Sequence, residues 1–264
     1  MDPASVLEWE TPTRAPVAEL FHENSKLPER VIDPGRESMP AESPAELGGG
    51  ARQKSYLTAP KVDLPPPTPV GANISTLLES RRSVREYGPE PVELGQLGQL
   101  LGWSYGVMSR VGEGVTSGRP TPSAGAIYPI EIYVCARNVS GLEDRAYHYD
   151  PGAHVLEALR ASPSTIVAHA SLYPEITTAA SFVVIMTAVL QRTCAKYGER
   201  GYRFALLDCG HVAQNLQLLA SAIGLGSVGL GGFIDDELNE LLEVDGVNEV
   251  VVHTIAFGPD PRPE

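Results

Sequence analysis

The sequence predicts an α+β domain, and three observations carry that expectation. Strand-like and helix-like stretches follow one another in mixed order rather than in strict alternation. The run Ser181-Phe182-Val183-Val184-Ile185-Met186 lacks polar alternation, as a strand covered on both faces does. The longest helical pattern, from about Tyr202 to Ile223, is apolar nearly all round, which fits deep burial or a subunit interface. With 264 residues, 42% of them apolar, the chain can build a substantial core.

Residues 1–72 stand apart by composition. Twelve of the 23 prolines fall in the first 70 residues, together with many acidic residues and Gly48-Gly49-Gly50. Such a segment buries little by itself. It is expected to be partly extended or disordered and to dock on the core through two more apolar islands, residues 20–26 and 54–57, with Pro65-Pro66-Pro67 as a stiff spacer.

Residues 73–264 hold the predicted domain. Ile74, Leu77 and Leu78 mark a first helix that Asn73 or Ser75 caps, running into Arg81-Arg82-Ser83-Val84-Arg85. Leu94, Leu97, Leu100 and Leu101 give a second helix, loosened by Gly95 and Gly98. Residues 130–135 alternate as a strand, and Asp150-Pro151-Gly152 suits the turn of a hairpin between residues 147–149 and 154–156. Gly224 ends the long helix. Residues 235–242 form a short helix with an acidic first turn, and residues 250–255 a last strand.

Charge narrows the function classes. Thirty-three acidic against 20 basic residues give a net charge of -13, which repels phosphate backbones and anionic lipid. Nucleic acid and membranes are therefore not expected partners. No apolar run approaches the roughly 18 to 20 residues of a membrane span, and the N-terminus lacks signal-peptide features, so a cytoplasmic location is expected. Cys135, Cys194 and Cys209 sit in apolar settings without a C-x-x-C and read as buried free thiols. The six histidines show no ligand spacing, and no metal site is expected.

Four segments carry candidate chemistry. Lys196-Tyr197 lies between a buried strand and a core helix, where a loop presents polar groups at the rim of a rigid scaffold. A lysine acts as a base near neutrality when burial or positive neighbours lower its pKa, and Arg200 and Arg203 are close in sequence. Arg81 to Arg85 concentrate guanidinium donors and a hydroxyl, as an anion site does. Residues 121–129 form a loop poor in side chains, suited to packing on a planar ring. Gly224-Leu225-Gly226-Ser227-Val228-Gly229 matches G-x-G-x-x-G but follows a helix instead of opening one, which removes the dinucleotide reading. It leaves a glycine-rich loop, Gly229-Leu230-Gly231-Gly232, that a ligand can approach closely. Taken singly, each segment also has an ordinary structural reading as a surface lysine, a solvated helix end or an entry loop.

In order and spacing these segments resemble the nitroreductase superfamily, and within it the SagB-type branch, the thiazoline/oxazoline dehydrogenases of peptide natural-product pathways. The residues concerned are Arg81-Arg82-Ser83-Val84-Arg85, Pro122-Ser123-Ala124-Gly125-Ala126-Ile127-Tyr128-Pro129, Gln214-Asn215-Leu216, Gly224-Leu225-Gly226-Ser227-Val228 and Gly231-Gly232-Phe233. Phe21-His22-Glu23-Asn24-Ser25-Lys26 is similar to a short N-terminal element of that branch. The resemblance implies a nitroreductase-like fold, a central mixed sheet flanked by helices, in an intertwined homodimer with FMN at the subunit interface. Arg81, Arg82, Ser83 and Arg85 would hold the FMN phosphate and pyrimidine edge, with Arg262 assisting. Pro122, Ser123, Ala124 and Gly125 would reach the partner's flavin, and Gly229, Leu230, Gly231 and Gly232 would lie beside its N5 edge. Lys196 and Tyr197 fall at the acid/base doublet of the branch. The implied activity is FMN-dependent oxidation of a thiazoline or oxazoline in a peptide or peptidyl substrate to the azole, with O2 as acceptor and a cyclodehydratase or carrier protein as a further partner. Ala126, Tyr128 and Gly231 stand where the general family pattern has Asn, Gln and often Glu, which speaks against a simple NAD(P)H-dependent nitro, quinone or flavin reductase. A non-catalytic scaffold subunit is the remaining alternative.

Overall fold

A computed structural model describes residues 16–26, 53–108 and 118–262; the Gly48-Gly49-Gly50 run lies outside them. Seven strands form one sheet: β1 (Lys61–Asp63), β2 (Ile130–Ala136), β3 (Arg145–Asp150), β4 (Val155–Ala161), β5 (Phe182–Val189), β6 (Leu225–Leu230) and β7 (Glu249–Pro259), in the order β1-β4-β3-β2-β5-β7-β6. The unalternating run became β5, buried from Phe182 to Ala188 between β2 and β7. The sheet expected to be mixed is antiparallel between all paired strands, and the parallel contacts are isolated bridges, Ser83 with Ser227 and Val92 with Val139.

Period-two alternation divides two cores. From β2, Ile130, Ile132 and Val134 join α3 (Leu94–Tyr105) and α7 (Arg200–Ala222) on one face. Tyr133 and Cys135 join α4 (Ser164–Ala170), α5 (Pro174–Ala179) and α8 (Asp235–Leu242) on the other. Of the two candidate caps of α2 (Ile74–Ser80), Asn73 makes the bonds: its Oδ1 accepts from the Ser75 and Thr76 amides. Asp150 closes the β3–β4 hairpin by accepting from the Gly152 and Ala153 amides. The proline spacer is instead packed along α3, and its glycines explain why. A Cβ on Gly98 would stand 2.7 Å from the Pro65 carbonyl oxygen, and one on Gly102 would stand 2.8 Å from Pro67 Cγ. No helix among the described residues is long and apolar enough to cross a membrane.

The second face carries a buried polar line that the strand patterns gave no reason to expect. His148, fully buried on β3, places Nδ1 2.9 Å from Glu157 Oε2 and Nε2 3.0 Å from Glu131 Oε2. Both ring nitrogens thus face carboxylate oxygens. Glu157 also accepts from Ser55 Oγ at 2.7 Å and the Tyr56 amide at 3.0 Å, and pairs with Lys61. Beside this line, Lys54 donates to Tyr133 and Glu249. Residues 54–61 are thus bound to the sheet by side-chain polar bonds as well as by β1.

These donors outweigh the burial of Glu157 and hold its carboxyl down at about 2 from the ordinary 4.5. A depressed carboxyl contributes stability above its unfolded pKa and loses it as pH falls through the folded one. Urea unfolding should therefore show stability declining from pH 4.5 to about pH 2. Glu157→Gln should be less stable at pH 6, by on the order of 3 kcal/mol for a buried carboxylate removed from its cations, and should show a shallower slope in that window.

Candidate functional site

The stretch expected to be a loop after β5 is largely helix. α6 (Leu190–Tyr197) starts directly at the strand end, and Lys196 and Tyr197 occupy its last turn. Gly198 then reverses the chain at φ 57°, ψ -146°, a conformation open essentially to glycine. α7 returns against α6 at backbone contact, since a Cβ on Gly201 would stand 2.6 Å from the Cys194 nitrogen. Tyr197 packs edge-on against Phe204 with centroids 4.9 Å apart, and Lys196 Nζ lies 5.6 Å from the Tyr197 ring centroid. Both side chains are half-buried.

Arg200 and Arg203 are engaged elsewhere. Arg203 donates to Ser25 Oγ at 2.8 Å and to the His22 carbonyl at 2.7 Å, and Arg200 to the Ser25 carbonyl. With Phe21 edge-on to Tyr202, they seat α1 (Pro16–Asn24) on the start of α7.

Residues 122–128 come to the same place. Ala124–Ala126 form a short 3-10 turn in which Gly125 has φ 64°. A Cβ on Gly125 would fall 2.5 Å from Tyr197 Oη and 3.3 Å from Lys196 Nζ, so this turn lies directly against the pair. Ser123 Oγ donates to Asp208 Oδ2 at 2.5 Å and accepts from the Tyr128 amide at 2.9 Å. Its hydroxyl shapes the turn. Pro122 is exposed and Ala124 half-buried. Arg192 on α6 donates to the Tyr128 carbonyl and pairs with Glu131 at 2.6 Å, tying α6 to the buried polar line.

The second group lies at the β6 edge. The basic segment is not helical: α2 ends at Ser80, Arg81 caps it, and Ser83 bridges Ser227 while the Val84 amide donates to the Ser227 carbonyl at 3.0 Å. Gly226 permits this, because its Cβ would sit 2.6 Å from Val84 Cγ1. Arg82, Ser83 and Arg85 are exposed and Arg81 half-buried, and among the described residues none of the three arginines is in an ion pair. The glycine-rich run read as a loop is in part strand: Gly229 and Leu230 end β6, and Gly231 and Gly232 leave it. Leu230 is buried in the second core, Gly229 and Gly231 are exposed, and nothing lies within 4 Å of a Cβ on Gly231. Arg262 follows the end of β7, where the Gly88 amide donates to the Pro259 carbonyl, and is ion-paired with Asp260.

Register relates the groups. Leu230 pairs with Thr254, Thr254 with Ile185 and Ile185 with Tyr133, so β6 ends toward the end of the sheet where β2 begins and β5 passes into α6. Three strand spacings, about 14 Å, separate β6 from β2. Burial pushes the thiols of Cys135 and Cys209 up to about 12, which leaves them inert at neutral pH. Gly201→Ala should force α6 from α7, costing about 1–3 kcal/mol by overpacking, measurable as a lowered urea midpoint.

Comparison with known proteins identifies relatives of this chain. A protein of Methanocaldococcus jannaschii named as a nitroreductase is 40% identical over 172 residues, covering 65% of this chain and 84% of its own. The microcin B17-processing protein McbC of Escherichia coli is 31% identical over 138 residues, covering 48% of this chain and 49% of its own. The trifolitoxin-processing protein TfxB of Rhizobium leguminosarum is 30% identical over 183 residues, covering 65% and 49%. The chain thus spans about half the length of these two processing proteins. Among solved structures, one from Anabaena variabilis described as a nitroreductase superposes with TM-score 0.71 at 27% identity, covering 92% of this chain and 47% of that one. A chain of the Escherichia coli microcin synthetase complex, solved with a truncated precursor bound, shares the fold at TM-score 0.59 and 22% identity, over 92% and 91%. So does a Desulfovibrio desulfuricans protein solved with FMN, at 0.52 and 18%, over 72% and 88%. The Nitroreductase family model matches residues 78–259, which take in the arginine segment, both halves of the site and six of the seven strands; this chain belongs to the nitroreductase family.

Proposed function

We propose that this chain is an FMN-dependent oxidase that converts a thiazoline or oxazoline of a peptide or peptidyl substrate into the corresponding azole. The observation that carries the reading is the contact of the Gly125 turn with Tyr197 Oη and Lys196 Nζ, which gathers two distant motifs around a pair of proton-transfer groups. The likeness to two toxin-processing proteins supports a peptide substrate, and a cyclodehydratase or carrier protein is the proposed further partner.

The residues at the β6 edge fit FMN. Three guanidinium groups outside any described ion pair, beside the Ser83 hydroxyl, suit a phosphate. The exposed Gly229 and Gly231 offer a flat ring an edge without side chains. Arg81, Arg82, Ser83 and Arg85 would hold the phosphate end, and Gly229 to Gly232 would face the ring. Bound there, FMN supplies the two-electron acceptor, with O2 as the proposed final oxidant.

The remaining chemistry belongs to the chain. Lys196 or Tyr197 takes the proton from the ring carbon that was the residue's α-carbon, and the missing Cβ of Gly125 keeps their polar ends clear. Phe204 orients Tyr197, and the Gly198 reversal fixes the pair's reach. Leu206 and Leu207 on α7 are exposed, as are Ile74 and Leu78 on α2. A second copy covering that face makes a homodimer in which the Gly125 turn of one subunit completes the arginine site of its partner.

Purified protein should be yellow and should convert a synthetic thiazoline peptide into a product lighter by two hydrogens. Lys196→Ala should keep FMN and lose roughly 100- to 10,000-fold in rate, as expected for a general base. Full rate in that variant, or rapid bleaching by NADPH without azoline oxidation, overturns the reading.

A further inference from the structure

Asp208 has no part in the reading of the sequence, yet it lies beneath the site. It is 5% exposed on α7, one turn beyond Phe204, which packs on Tyr197. Its carboxylate accepts from Ser123 Oγ at 2.5 Å and from the Ala124 amide. Ser123 Oγ in turn accepts from the Tyr128 amide at 2.9 Å. These three bonds fix both ends of a strained segment, since Gly125, Ala126 and Tyr128 all have positive φ. They act together with the Ala126 amide, which donates to the Ser123 carbonyl at 3.0 Å, and with Arg192, which donates to the Tyr128 carbonyl. A carboxylate so placed is costly, and burial accordingly raises its pKa against the opposing pull of Ser123 and Ala124. A buried acid on a helix that is otherwise apolar there asks for a compensating role.

We propose that Asp208 is a positioning residue: through Ser123 and Ala124 it holds the 122–128 turn, and hence Gly125, against Lys196 and Tyr197. Ser123 then serves the site by shaping its wall, because its hydroxyl already donates to Asp208 and accepts from Tyr128. The prediction for turnover rests on the oxidase reading. The prediction for turn mobility does not.

The test compares Asp208→Ala, Asp208→Asn, Ser123→Ala and the Asp208→Ala/Ser123→Ala double variant by amide hydrogen exchange in full-length protein. Removing the acceptor should speed exchange across residues 122–128 about tenfold or more while β5 stays as protected as before. Asp208→Asn keeps an acceptor and should remain within about twofold of the original protein. Ser123→Ala should reproduce most of the effect, with the double variant well short of the product of the two. On a thiazoline peptide, Asp208→Ala should lower kcat about tenfold or more with KM little changed, as misplacement of reacting groups does. The proposal falls if Asp208→Ala leaves the turn's exchange unchanged, if β5 loses protection equally, or if the two single effects multiply. Should the original protein fail to oxidise thiazolines, the oxidase reading falls, and the exchange data still decide the role of Asp208.

Discussion

A single line of charge across the second face of the sheet ties the molecule together. It starts at Lys61 on the edge strand, passes through Glu157, His148 and Glu131 on three successive strands, and ends at Arg192 on α6. Each partner lies on a different element, so the line fixes relative positions that apolar packing alone would leave free to slide. It also explains an apparent excess of burial cost: three carboxylates, Glu131, Glu157 and Glu249, are met by Lys54, Lys61, Arg192 and the His148 ring. Breaking a pair of this kind strands a charge in a medium that cannot solvate it.

The line ends beside the proposed acid/base pair. Arg192 opens the helix whose last turn carries Lys196 and Tyr197, and it also reaches the Tyr128 carbonyl at the far side of the Gly125 turn. The sheet therefore sets the root of α6, and Gly198 and Gly201 set its tip against α7. Between these fixed ends the pair has little freedom. The arginine segment is positioned by separate means, the Ser83–Ser227 bridge and the clearance at Gly226, so the two halves of the site belong to different parts of the sheet.

Much of this fold was legible because its strong elements announce themselves by period. The long helix, the central strand, the β3–β4 hairpin and the last helix and strand lie near where hydrophobic spacing and turn residues put them. β1 gave no signal, since Lys61 and Asp63 flank a single Val in three residues at an edge. α4 and α5 are short and carry few buried residues, Val167, Ala170, Ile176 and Thr177. The glycine run reads as a loop because glycine disfavours strands; here its missing side chains make room for Val84 and His253. Arg81 to Arg85 extend rather than coil because the backbone of Val84 bonds to that same strand. Of the site, Lys196 and Tyr197 were visible as an ionisable doublet at an element boundary, whereas Asp208 and Glu131 were hidden inside apolar patterns. Glu131 between Ile130 and Ile132, and His148 between two tyrosines, lie buried on a face that period-two alternation would assign to solvent. A charge there has to be paired.

Ionic strength separates the two halves of the molecule. Mobile ions screen charges that face water within a distance of about 10 Å at 0.1 M salt, and they reach buried pairs far less. The line from Lys61 to Arg192 is enclosed for most of its length, whereas Arg82 and Arg85 stand open at the sheet edge. Rising salt should therefore weaken an anion held as proposed by the arginines while the frame beneath Lys196 and Tyr197 keeps its geometry. Loss of ligand in concentrated salt would thus report on the edge of the sheet alone.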